Sequence, residues 1–215
     1  MKQYKRFFPT GVGLATFVGL STMAAGAIAQ ELNCNNPQTQ TEMNYCSGLD
    51  YEKADRRLNQ VYQRLQPELP TASRQYLVNA QRAWIKFRDS DCELARSQFE
   101  GGSIAPLIQN TCLTEATDQR TRHLGIYYSG LVPQAVGGDY QNTDRWLNET
   151  YQELRGSMQE AMRNRLTEAQ LAWIKFRDEN CQFEAAYVSS SQDNCLTRMT
   201  EKRTLELSSF IERTP

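Results

Sequence analysis

Histidine is nearly absent: His123 is the only one in 215 residues. Cys-x-x-Cys pairs are missing too, so the usual zinc sets cannot be assembled. No Gly-rich phosphate loop and no Ser-centred elbow occurs. Charge of one sign is also scarce. The 24 basic and 25 acidic residues nearly cancel, and no basic cluster marks a nucleic-acid surface. Period-two alternation is rare, which argues against sheets. Beyond residue 29 no apolar run could span a bilayer, a task that takes about 20 residues. These absences leave a helical protein with no metal, no cofactor and no recognisable catalytic constellation.

The one apolar stretch lies at the start. Lys2, Lys5 and Arg6 precede a small-residue run from Gly11 to Ala25, and Ala27-Ile28-Ala29 fits a signal-peptidase site. Residues 1–29 are therefore expected to be a cleaved signal peptide. The mature chain would be soluble, periplasmic or secreted, and free of the membrane. It would keep 21 basic against 25 acidic residues, a mild negative balance that suits a cationic partner.

An internal repeat organises the rest. The run Ala80-Gln81-Arg82-Ala83-Trp84-Ile85-Lys86-Phe87-Arg88-Asp89-Ser90-Asp91-Cys92 returns, identical at ten of thirteen positions, from Ala169 to Cys181. Asp55, Leu58, Asn59 and Tyr62 return as Asp144, Leu147, Asn148 and Tyr151 at the same offset of 89. Asn110-Thr111-Cys112-Leu113-Thr114 is echoed around Cys195 at an offset of 83, so the loop before it is six residues shorter. The expected organisation is a first module over 30–131, a linker over 132–138 and a second module over 139–215. Six cysteines in an exported chain suggest disulfides. If the copies share a fold, Cys92 pairs with Cys112 and Cys181 with Cys195, which leaves Cys34 for Cys46.

Each module reads as about three helices, an all-α fold. Thr39-x-x-Glu42 is a capping-box start, and apolar residues then recur at three- and four-residue steps as far as Leu65. Pro67 and Pro70 are expected to end that helix. A second runs from about Thr71 until Gly101-Gly102 and Pro106 break it, and a third from about Ala105 to Tyr128. The second copy repeats the pattern near Asp139 to Arg155, Glu160 to Tyr187 and Asp193 to Glu212.

The recurring residues read as scaffold. Trp84 and Trp173 lie on apolar helical stripes. Asp55, Asn59, Gln81 and Arg88, with their mates Asp144, Asn148, Gln170 and Arg177, sit beside the expected seam of a helical hairpin, where polar groups need partners. In that hairpin Asp50 falls opposite Arg88, and Asp139 opposite Arg177, with Asp55 and Asp144 also within reach. A carboxylate pair for glycoside hydrolysis is the alternative. Gly101-Gly102-Ser103-Ile104 reads first as a helix stop. Its second reading is a cystine-closed binding loop, because a pre-ordered loop loses less entropy on binding.

The order Cys34, Glu42, Asn44, Cys46, Asp55, Leu58-Asn59, Tyr62, then Ala80-Gln81-x-Ala83-Trp84-Ile85-x-Phe87-Arg88-Asp89 and Cys92, resembles the LprI-type N-terminal domain. The resemblance covers most of the first module and, more weakly, the second, which lacks the first cysteine pair. That family comprises small exported bacterial proteins and is named after a lipoprotein that inhibits lysozyme; no lipoprotein cysteine is present here. The resemblance implies a non-enzymatic binding protein that acts on lysozyme or another cationic cell-wall enzyme. The alternatives are a periplasmic interaction module with a different partner and, further off, a cell-wall hydrolase.

Overall fold

The computed structural model describes residues 33–133, 138–188 and 192–213. The expected signal peptide, most of the linker and Ser189-Ser190-Ser191 lie outside the described residues. Six helices follow one another: α1 (Gln40–Glu68), α2 (Thr71–Ser97), α3 (Ala105–Tyr128), α4 (Tyr140–Ser157), α5 (Glu160–Val188) and α6 (Gln192–Arg213). No strand occurs among the described residues.

Local chemistry sets several of these boundaries. Thr39 Oγ1 accepts from the Glu42 backbone N–H at 3.2 Å, while the Glu42 carboxylate accepts from the backbone N–H groups of Thr39 and Gln38. Those two backbone bonds, Gln38 first, hold the Glu42 carboxyl below its ordinary range. α1 ends between the two prolines, as the sequence suggested, although Pro67 itself is still helical. That proline falls in the last turn, where few hydrogen bonds remain to be lost, and the helix ends one residue later. Gly101 adopts φ 80° in the turn after α2, a conformation other residues resist.

The hairpin expectation needs correcting. α1 packs along α3 rather than α2, α4 packs along α6, and the most extensive contact joins α2 to α5. α1 still meets α2 through side chains, with Leu58 and Leu65 sharing a cluster with Leu77 and Trp84. The Arg88 guanidinium lies 4.9 Å from the Trp84 ring and 5.4 Å from the Tyr51 ring. Its carboxylate partners are Asp89 at 2.8 Å and Asp55 at 3.8 Å. Asp50 is instead exposed and pairs with Lys53. Asp139 likewise does not reach Arg177; it caps α4 by accepting from the Gln141 N–H.

α2 and α5 are the repeat-equivalent helices, and they lie antiparallel. Ser73 Oγ donates to the Ala186 carbonyl at one end, and Ser97 Oγ meets Met162 Sδ at the other. These two contacts are mates at the offset of 89. Phe87 and Phe176, also mates, stack midway at 5.9 Å. Such reciprocity defines a pseudo-twofold axis of the kind found in homodimers. The cores are shared accordingly. Leu58, Leu65, Leu77, Trp84, Leu124 and Tyr127 cluster with Phe176, Cys181, Phe183, Cys195 and Met199 of the second copy. A smaller cluster joins Leu147, Leu154, Leu166, Trp173 and Leu207 to Leu94 of the first. Each fully buried leucine contributes roughly 1.5–3 kcal/mol, so much of the stabilisation arises across the boundary between copies.

Candidate functional site

The recurring motif residues form two matching buried knots. Trp84, Arg88 and Gln81 are buried, as are Trp173, Arg177 and Gln170. Arg177 repeats Arg88 in detail, lying 5.1 Å from Trp173 and 5.8 Å from Tyr140, with Asp178 at 2.9 Å and Asp144 at 3.7 Å. Asn59 donates to Asp55 at 2.9 Å and Asn148 to Asp144 at 3.1 Å, which orients both carboxylates. A guanidinium sandwiched between aromatic rings and bonded to carboxylates is occupied on every side. The geometry leaves these residues largely packed, and Arg88 stays bound to its own carboxylates where it borders the cavity described below.

Gln81 and Gln170 lead inward to a pair of arginines that sequence reasoning overlooked. Gln81 Oε1 accepts from Arg120 Nε at 3.0 Å, and Gln170 Oε1 accepts from Arg203 Nε at 3.1 Å. Each arginine then crosses to the other copy. Arg120 Nη1 donates to Asn180 Oδ1 at 2.8 Å and Arg203 Nη2 lies 2.8 Å from Asp91 Oδ1. Arg120 stands over the Phe176 ring at 5.2 Å, Arg203 over the Phe87 ring at 5.1 Å. Both are 1 % exposed. The signal was available in the sequence: Thr117-x-x-Arg120-Thr121-x-x-Leu124 recurs as Thr200-x-x-Arg203-Thr204-x-x-Leu207 at the offset of 83.

A cavity of about 90 Å³ opens beside these arginines. Its electrostatics differ between the two halves. Burial works against the Arg203 charge, but Asp91 and Glu206 outweigh it and raise the group. Burial lowers Arg120 instead, and the opposing influence of Tyr127, Glu184 and Tyr62 does not make up for it. Desolvation, then Lys202, Arg120 and Arg198, push His123 down to about 3, so its imidazole is neutral near pH 7. The buried Glu184 carboxylate accepts from Arg198 at 2.7 Å, from Tyr127 at 2.5 Å and from Asn180 at 3.1 Å. No group of metal-ligating side chains occurs among the described residues.

The second candidate surface is the end of the first copy. Cystines join Cys34–Cys46, Cys92–Cys112 and Cys181–Cys195, the pairing implied by the repeat register. Asn44 Nδ2 donates to the Ser103 carbonyl at 2.9 Å, tying the start of α1 to the 98–104 turn. Asn110 Nδ2 adds bonds to Ser47 Oγ and the Asn44 carbonyl. The turn does not project Ile104, which is half-buried; the exposed apolar side chains near this junction are Phe99 and Tyr45. Gly101, Gly102 and Ser103 are exposed.

Known proteins place this architecture. A crystal structure of an uncharacterised protein from Burkholderia thailandensis matches with a TM-score of 0.60 at 18% identity, covering 81% of this chain and 88% of that one. At that identity the likeness speaks for the fold alone. An uncharacterised protein of Rhizobium meliloti (strain 1021) is 37% identical over 116 residues, 48% of this chain and 84% of the relative. The family model described as lysozyme inhibitor LprI matches twice, over residues 33–124 and 132–207. With both repeats matched, the chain belongs to the lysozyme inhibitor LprI family.

Proposed function

We propose that this protein is an exported inhibitor of lysozyme-type muramidases, and that it docks through the cystine-braced end of its first copy. The observation that carries this reading is the junction of two cystine-containing segments by the Asn44–Ser103 bond, in a chain of an inhibitor family. The bond and the cystines pre-order the surface, so docking sacrifices little conformational freedom. Tyr45 and Phe99, 50% and 40% exposed, supply aromatic anchors of the kind enriched at interfaces. The mild negative balance of the mature chain favours approach to a cationic enzyme. Three disulfides accord with export to an oxidising compartment.

The test is inhibition of a lysozyme acting on cell walls. The folded mature protein should inhibit, and Tyr45→Ala with Phe99→Ala should weaken inhibition more than tenfold, as loss of an anchor worth about 2 kcal/mol would. No inhibition by the folded parent defeats the function. Undiminished inhibition by the double variant defeats this surface. Lysis of cell walls by the protein alone would favour a hydrolase instead.

A further inference from the structure

The cavity between the copies holds a buried positive charge without an acid of its own. Arg120 and Arg203 are repeat mates with the same π partner and the same glutamine partner. Their remaining surroundings differ at two positions. Arg203 faces Asp91 at 2.8 Å and Glu206 at 3.3 Å. The mates of those carboxylates, at Arg120, are the neutral Asn180 and the neutral His123. The other cations lining the cavity are spoken for: Arg198 by Glu184, Arg88 by Asp89, and Lys202 by Glu206 at 3.4 Å. Among the described residues, no carboxylate lies within ion-pair distance of Arg120.

Hydrogen bonding is incomplete around the cavity. Arg120 Nη2 is buried with no hydrogen-bond partner, and so are Arg198 Nε and Arg203 Nη2, but only the last lies beside a carboxylate, Asp91 at 2.8 Å. The Tyr127 hydroxyl stands close enough to favour the Arg120 charge, yet it already donates to Glu184 and accepts from Asn180. An arginine side chain does not escape by losing its proton, and a buried unpaired cation is expensive. Unpartnered donors on Arg120 and Arg198, a surplus positive charge and room for a few waters or one small oxyanion meet in one place.

We propose that this cavity binds one small oxyanion, of the size of inorganic phosphate or a short carboxylate, seated on Arg120 with Arg198 beside it. The partly exposed Lys202 at the rim gives the anion its entrance. Binding would complete for the first copy the charge balance that Asp91 and Glu206 already supply to the second. The site is separate from the surface assigned to lysozyme, so either can fail alone.

The experiment uses the full mature chain at pH 7, with phosphate, sulfate or acetate replacing chloride at constant ionic strength. Thermal melts and calorimetric titration read the outcome. At least one of these anions should raise the midpoint saturably with one site per chain, and the ranking separates tetrahedral anions from carboxylates. His123→Glu, which installs the carboxylate found at the mate position, should melt higher than the parent without added anion and weaken anion affinity at least tenfold. Lys202→Gln, a rim change that leaves the floor intact, should weaken affinity severalfold. Absence of a saturable shift in the parent overturns the proposal. An equal shift in parent and both variants also overturns it, as the mark of nonspecific electrolyte stabilisation.

Discussion

The two copies share a skeleton and differ in how they settle their charges. Both carry the Arg–Trp–Tyr knot, in which corresponding distances agree within about half an ångström. They part where the knots end. Arg57 of the first copy pairs with Asp118 across α1 and α3 at 2.7 Å. The mates of these residues are Trp146, 42% exposed, and Glu201. The first copy has the Cys34–Cys46 staple and the second none. The second has the buried Glu184, whose mate is Ala95. Repeated residues thus mark what both folds need, and the unrepeated ones mark where the copies have diverged.

The strongest way to test that comparison is to remove the ring each copy offers the other. Phe176 is buried in the large shared cluster, whereas Phe87 is only partly buried. Phe176→Ala should cost about 3–5 kcal/mol and Phe87→Ala distinctly less, measured by denaturant unfolding. Equal costs would mean that the inter-copy core is as symmetric in energy as in outline.

A smaller effect follows from His123, which has no titrating imidazole as its mate. Its folded value of about 3 lies below the ordinary 6.5 because of burial, then the cations Lys202, Arg120, Arg198 and Arg122. The unfolded chain therefore binds a proton first, and stability falls as the pH drops from 6.5 towards 3. The slope is at most about 1.4 kcal/mol per pH unit. The parent is compared with His123→Gln, so that the contributions of every other group cancel. Between pH 6.5 and 5 the variant should show the flatter profile. A profile parallel to the parent would place His123 in contact with water.

The smallest effect compares helix starts. Thr39 takes part in a reciprocal box with Glu42, while Asp139 caps α4 with the Gln141 bond. Thr39→Ala should cost about 1 kcal/mol and Asp139→Ala somewhat less, read as shifts in melting midpoint. The reverse order would show that the tertiary seat of α4 depends on its first residue more than that of α1 does.

Helix positions were legible because their signals are local. The Thr39-x-x-Glu42 box and the Gly101-Gly102 break act within a few residues. The cystine pairing was legible because two copies constrain each other's register. Partner choice among helices was not, because the α2–α5 contact joins residues 65 to 113 positions apart and nothing in one copy announces the other. Arg120 and Arg203 show the same limit. On their own helices they resemble solvated charges, and it is the other copy's phenylalanine and side-chain acceptors that complete their surroundings. The 98–104 turn was legible as a break, but the burial of Ile104 depends on how α3 seats against its neighbours.

Fusion of the halves has a consequence for what the centre can become. In a true homodimer any substitution at the axis occurs twice, and an unfavourable one is doubled. A chain that closes on itself escapes that rule. It can keep an aspartate at position 91 to steady one arginine and place an asparagine at position 180 beside the other. Joining the copies end to end thus permits a lopsided centre that identical partners could not have, with one half anchoring the structure and the other free to receive a guest.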